Sequence, residues 1–137
     1  MLLKNEKKLE AASDGDVILH ALYNAISQAL GEGSLGRFAT PLLKEKGISD
    51  SKKYLQPLLV KMKKRGYHLN NIGIMLEAKV PAIDPLSSAL KKTLSTLTGV
   101  HIRKIGITAT SGDGLTSFGK GKGMQCFAIV SLQKNEN

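Results

Sequence analysis

Two stretches of this chain gather residue types that could handle phosphate. The first is Ser13-Asp14-Gly15-Asp16-Val17-Ile18-Leu19-His20. Asp16, His20 and Asn24 are four apart, so a helix puts them on one face. A histidine with a carboxylate one turn away is a common metal-ligand arrangement, because the carboxylate orients the neutral ring. Ser13 and Asp14 are both good N-caps, and Ser13 with Asp16 has the spacing of a capping box. That reading starts a helix here and sets His20 beside its N-terminus, where anions are attracted. A single histidine defines no metal site, and a surface histidine with an incidental aspartate has the same pattern. The second stretch is Ala109-Thr110-Ser111-Gly112-Asp113. Two hydroxyls, a glycine and a carboxylate leaving a strand suit hydrogen bonding to phosphate, with Asp113 offered to a hard cation such as Mg2+. An ordinary Asp-Gly turn reads the same way. A third stretch, Phe118-Gly119-Lys120-Gly121-Lys122-Gly123, lacks the spacing of a nucleotide loop. It leads into a strand and reads as a glycine turn with exposed cations.

The elements that must position these residues follow from hydrophobic period. Asp16 to Leu30 favours helix, with Ile18, Leu22, Ala25, Ile26 and Ala29 as its apolar stripe. Residues 1–12 form a variable segment: Leu2-Leu3 could end a strand, and Lys4 to Glu10 reads as a solvated turn or loop. Gly31-Glu32-Gly33-Ser34-Leu35-Gly36 breaks the helix into a loop. Asp50-Ser51 opens a second helix that buries Tyr54, Leu55, Leu58, Leu59 and Met62, with a kink expected at Pro57 unless the helix starts late. Its other face carries Lys52, Lys53, Lys61, Lys63, Lys64 and Arg65. No aromatic residue interleaves to stack bases, so this reads as a solvated surface. Gly66 ends the helix. Ile72, Ile74, Leu76 and Ala78 alternate as a strand. Asp84 and Pro85 start a third helix, with Leu86, Leu90, Thr93, Leu94 and Leu97 facing inward and Gly99 closing it. Ile105, Ile107 and Ala109 mark another strand. Met124 to Leu132 is a final strand, apolar enough to be central, with Cys126 in the core. Gln133 to Asn137 reads as a frayed tail. His68 and His101 flank strands and read as exposed polar residues. The expected fold is α+β: a single small domain over residues 13–132, with helices packed on one face of a mixed or antiparallel sheet.

The totals narrow the partners without choosing among them. A formal charge of +9 over 137 residues attracts polyanions, whether nucleic acid, acidic lipid or a phosphorylated metabolite. The single cysteine, Cys126, excludes an internal disulfide and fits a reducing compartment. No run is apolar enough to span a membrane, and the first residues lack a signal peptide's pattern. The expectation is a soluble, cytoplasmic protein.

Ser13 to Leu22 resembles the Ser-Asp-Gly-Asp-Val-x-x-His-Ala-Leu signature of the 2-C-methyl-D-erythritol 2,4-cyclodiphosphate synthase family, of the non-mevalonate isoprenoid pathway. The resemblance continues in order to the C-terminus. It implies a homotrimer with active sites between subunits. It implies a phosphorus–oxygen lyase that cyclises 4-diphosphocytidyl-2-C-methyl-D-erythritol 2-phosphate and releases CMP. Membrane and nucleic-acid partners are not expected. The family holds Zn2+ (or another divalent metal) with two His and one Asp, and His20 matches the helical ligand. Asp113 matches the residue that serves Mg2+ or Mn2+ between the other phosphates. Thr110, Ser111 and Gly112 match the phosphate and cytidine turn, and Ser111 a hydroxyl that helps stabilise the transition state. Ala78, Pro81, Ala82 and Ile83 match the cytosine pocket, and Lys120 a basic residue near the trimer axis. Ser34, Leu35 and Gly36 match a loop that approaches the neighbouring subunit's substrate. Ala12 and Ser13 fall beside the substrate. By this reading His20 faces a cleft into which a neighbouring subunit presents Thr110 to Asp113.

Departures from the pattern accompany the resemblance. Ser34 stands where an Asp is common, Ala12 where a His often stands, and Ala82 where a nucleotide-contacting Lys is usual. The other two zinc ligands belong to an Asp-x-His motif on an N-terminal strand, and no Asp-x-His precedes residue 13. The alternative expectation is a truncated or metal-free, catalytically silent homologue that keeps the trimer scaffold and binds a phosphorylated ligand.

Overall fold

The computed structural model describes residues 5–33, 51–77, 84–110 and 125–136. Three helices and three strands lie in it: α1 Asn5–Ala29, α2 Ser51–Lys64, β1 Tyr67–Glu77, α3 Asp84–Thr98, β2 Ile105–Thr110 and β3 Gln125–Lys134. A single 3-10 turn, Ile102–Lys104, leads into β2.

The sheet order is β2-β1-β3. β1 pairs parallel with β2 and antiparallel with β3. A parallel pair needs a crossover, and α3 supplies it. The expected α+β fold with helices on one face of a mixed sheet is therefore the fold observed. Its centre is different. β1, not the apolar final strand, is central, and β3 lies at the edge of the described sheet.

β1 starts at Tyr67, well before Ile72. The reason is a bulge: Leu69 pairs with Leu132 and Asn71 with Ser131, which leaves Asn70 extra. Before the bulge the odd residue Leu69 faces inward; after it Ile72, Ile74 and Leu76 do. The helix-covered face thus holds Leu69, Ile72, Ile74, Leu76 and Ile105, with Cys126, Ala128, Val130 and Leu132 packed partly against them. Against that face lie Ile18, Leu19, Leu22, Tyr23 and Ile26 of α1, Tyr54, Leu55, Leu58, Leu59 and Met62 of α2, and Leu90 and Leu94 of α3. Each such aliphatic side chain contributes roughly 1.5–3 kcal/mol by leaving water. Thr93 and Ala29, both expected inside, are exposed. Thr93 hydrogen-bonds back to the Ala89 carbonyl at 3.1 Å instead of packing.

Two further expectations fail at the chain's ends. The reading of Lys4 to Glu10 as turn or loop does not hold: α1 is already helical at Asn5 and runs through Ser13 and Asp14. Glu, Lys, Leu and Ala dominate that segment and are strong helix formers, and the one interior glycine, Gly15, costs only about 1 kcal/mol. Ser13 and Asp14 are therefore interior residues, and the helix-terminal reading of His20 falls. At the other end Gln133 and Lys134 belong to β3, and the Asn135 N–H donates to the Gly66 carbonyl at 2.7 Å. The tail is pinned there by backbone pairing.

Glycine ends α1 as expected. Gly31 has φ +75°, its N–H donates to the Gln28 carbonyl at 3.0 Å, and the Glu32 N–H donates to the Ser27 carbonyl at 2.8 Å. These two bonds satisfy the helix's last carbonyls, a left-handed closure that a Cβ would strain.

Candidate active site

One end of the sheet brings together the strand ends that adjoin the segments expected to bind phosphate and cytidine. At the carboxyl ends of the parallel pair, Glu77 of β1 lies beside Thr110 of β2. On its other side Glu77 pairs with Gln125, the first residue of β3. Three points therefore sit side by side: the exit towards residues 78–83, the exit towards residues 111–113, and the return from the segment containing Lys120. Ligands of open α/β sheets bind outside the carboxyl ends of parallel strands, where backbone groups point beyond the last pairing. Ala78, Pro81, Ala82, Ile83, Ser111, Gly112, Asp113 and Lys120 themselves lie outside the described residues, as do Ser34, Leu35 and Gly36. Thr110 is the last residue of β2. Ala12 and Ser13 lie within α1.

His20 projects from α1 and is exposed, with the buried Ile18 and Leu22 on the other side of the helix. Tetrahedral zinc requires three protein ligands and an open position. Among the described residues, no group of three His, Cys, Asp or Glu side chains comes together. His20 alone does not fit a zinc ion, so the metal enters no step of the chemistry assigned to these residues. The other histidines are occupied locally. His101 accepts from the Arg103 N–H at 3.1 Å and caps the 3-10 turn. His68 Nδ1 and Asn135 Oδ1 are 2.5 Å apart at the opposite end of the sheet.

That opposite end holds a feature the sequence did not announce. Glu32 Oε1 accepts from Lys61 Nζ at 2.9 Å and from Arg65 Nη2 at 2.7 Å. Arg65 Nη1 also donates to the Leu30 carbonyl at 2.8 Å. The Lys61 ammonium first, and the Arg65 guanidinium after it, hold the Glu32 carboxyl below its ordinary range. Burial first, and the Glu32 charge second, push the Tyr23 phenol up. A hollow of about 660 Å³ lies beside this group, lined by Ala29, Leu30, Arg65, Tyr67 and Leu132. Its one guanidinium is already engaged by Leu30 and Glu32. The partners are 29 and 33 residues apart in the chain. The only signal in the sequence was a lone acid between two glycines and a Lys–Arg pair one turn apart.

The model of the YgbB family matches residues 1–133. The chain belongs to the YgbB family. Among its relatives, the 2-C-methyl-D-erythritol 2,4-cyclodiphosphate synthase of Chlamydia trachomatis serovar L2b is 38% identical over 134 residues, covering 98% of this chain and 75% of that protein. The solved structure of IspF from Plasmodium falciparum in complex with CDP superposes with a TM-score of 0.75 at 25% identity, covering 88% of this chain and 72% of that one. The bifunctional IspDF of Campylobacter jejuni shares the fold, with a TM-score of 0.78 at 24% identity over 88% of this chain and 32% of its own. Membership in the YgbB family thus agrees with the fold built above from sheet order and core. Among the described residues no helix is long and apolar enough to cross a membrane.

Proposed function

We propose that this YgbB-family chain is a 2-C-methyl-D-erythritol 2,4-cyclodiphosphate synthase. It cyclises 4-diphosphocytidyl-2-C-methyl-D-erythritol 2-phosphate. An oxygen of the 2-phosphate attacks the β-phosphorus, the bond from that phosphorus to the bridging oxygen of CMP breaks, and CMP leaves with the electron pair. The carrying observation is the convergence of Glu77, Thr110 and Gln125 at one end of the sheet. It gives the cytosine segment, the phosphate turn and the Lys120 segment a common origin. The reaction is intramolecular, so holding the two phosphates in line does most of the work. In this reading Ala78, Pro81, Ala82 and Ile83 receive cytosine. Thr110, Ser111 and Gly112 donate to the phosphates, Ser111 most strongly as charge builds on the phosphoryl oxygens. Asp113 would hold a Mg2+ or Mn2+, which when bound would supply positive charge to the diphosphate, and Lys120 adds positive charge near the trimer axis. Ala12, Ser13, Ser34, Leu35 and Gly36 wall the substrate. His20 is one of the three ligands a Zn2+ would need.

The homotrimer has its own support. The sheet face away from the helices exposes Met75, Phe127 and Ile129, the last at 75% exposure. An apolar strip of this kind marks a surface that another chain covers. We assign it to the contact between copies of this chain.

CMP release tests the activity. The purified full chain with a divalent metal should release CMP from the named substrate with saturation. Asp113→Asn should lower kcat by about 10²-fold, the usual loss when one transition-state charge partner is removed. CMP release no faster than in buffer would sink the reading.

A further inference from the structure

The Glu32 cluster lies at the end of the sheet away from Thr110, so it takes no part in the chemistry described. It acts on the path of the chain. Ser27 is 1% exposed and is the only buried polar side chain among the described residues. Its hydroxyl donates to the Gly33 carbonyl at 2.5 Å. The Glu32 N–H returns a bond to the Ser27 carbonyl at 2.8 Å. Between them the Glu32 carboxylate holds both Lys61, in the last turn of α2, and Arg65, just past its end. Arg65 also holds Leu30. Residues 30–33 are thus tied to two helices at once, and α2 is fixed in the core through Leu58, Leu59 and Met62. An isolated exposed ion pair contributes little, because water and side-chain freedom compete with it. Here one carboxylate oxygen is shared by two cations and one cation is shared with a carbonyl, so each group's position is set by several bonds.

We infer that Glu32 is a positioning residue for substrate binding. With Ser27, Lys61 and Arg65 it fixes Gly33, from which the segment beginning at Ser34 follows. This rests on the function proposed above, which sets Ser34, Leu35 and Gly36 against the substrate. Glu32 touches no reacting atom. A wall set in place binds ground state and transition state alike, so its loss raises KM and spares kcat.

The test compares Glu32→Gln with wild type, using full chain and the cytidine diphosphate 2-phosphate substrate. The variant should raise KM by about three- to tenfold and keep kcat within about twofold. Combining Glu32→Lys with Lys61→Glu, which restores an ion pair with exchanged signs, should bring KM back towards wild type. Lys63→Gln, on the same helix outside the cluster, should leave both constants alone. Amide hydrogen exchange on the same samples needs no substrate. With the shared carboxylate charge gone, Gly31 to Ser34 should exchange faster in Glu32→Gln than in wild type. An unchanged KM in an active enzyme overturns the inference. So does a fall in kcat that tracks a lowered melting temperature, since that is general destabilisation. Unchanged exchange overturns it even if wild type releases no CMP. That last failure, seen in wild type alone, falls on the functional reading and takes the substrate role of Glu32 with it.

Discussion

Pro57 sits midway along α2 and removes one backbone donor from it. The helix continues through it from Ser51 to Lys64. The ring is exposed, and Tyr54, Leu55, Leu58 and Leu59 around it are buried. Core packing therefore holds the helix through a residue that opposes it. Pro57→Ala should raise stability by about 1–2 kcal/mol, the restored hydrogen bond outweighing the freer unfolded chain. Urea unfolding reads this directly, and an unchanged or lower midpoint would contradict it. Single residues were otherwise legible to differing degrees. His68 and His101 are exposed polar residues, as their flanking positions suggested. Cys126, expected in the core, is half-buried on the inner face of β3, and burial pushes its thiol up to about 11. Glu32 was not legible, because its meaning lies in two cations brought over by another helix. Ser27 was hidden for a similar reason: its partner is the carbonyl of a loop glycine.

Helices could be read from the chain more fully than strands. The buried face of α2 matched its period residue for residue, because a 3.6-residue repeat survives without knowledge of neighbours. At the start of α1 a capping pattern at Ser13 competes with strong helix propensity upstream, and propensity wins. β1 was read only from Ile72 because the bulge at Asn70 switches which alternate residues face inward. A fixed period of two cannot be followed across that switch. The apolar content of β3 suggests a central strand, yet it lies at the described edge and turns Phe127 and Ile129 outward. Residues apolar on both faces look alike whether the second cover is a helix layer or another subunit. That difference makes a prediction about the sheet. Sedimentation should find three copies in the wild-type particle and a monomer for Ile129→Asp, since burying an unpaired charge in an apolar contact costs several kcal/mol. A variant that stays trimeric would remove this face from the interface.

At the scale of the whole molecule, the proposed phosphate turn and cytosine segment follow strand ends whose adjacency the sequence does not show. They are separated by α3, and only the parallel register of β1 with β2 makes neighbours of Glu77 and Thr110. The antiparallel register with β3 then adds Gln125. On the proposed function the end at Glu77 would bind the substrate, while the end at Tyr67 holds the Glu32, Lys61 and Arg65 cluster. A CDP titration followed by backbone amide shifts tests that division most directly. Saturable shifts at Glu77, Thr110 and Gln125, with Tyr67, His68 and Lys134 unmoved, are the predicted result. Shifts gathered instead around Arg65 and Tyr67, or none that saturate, would contradict it.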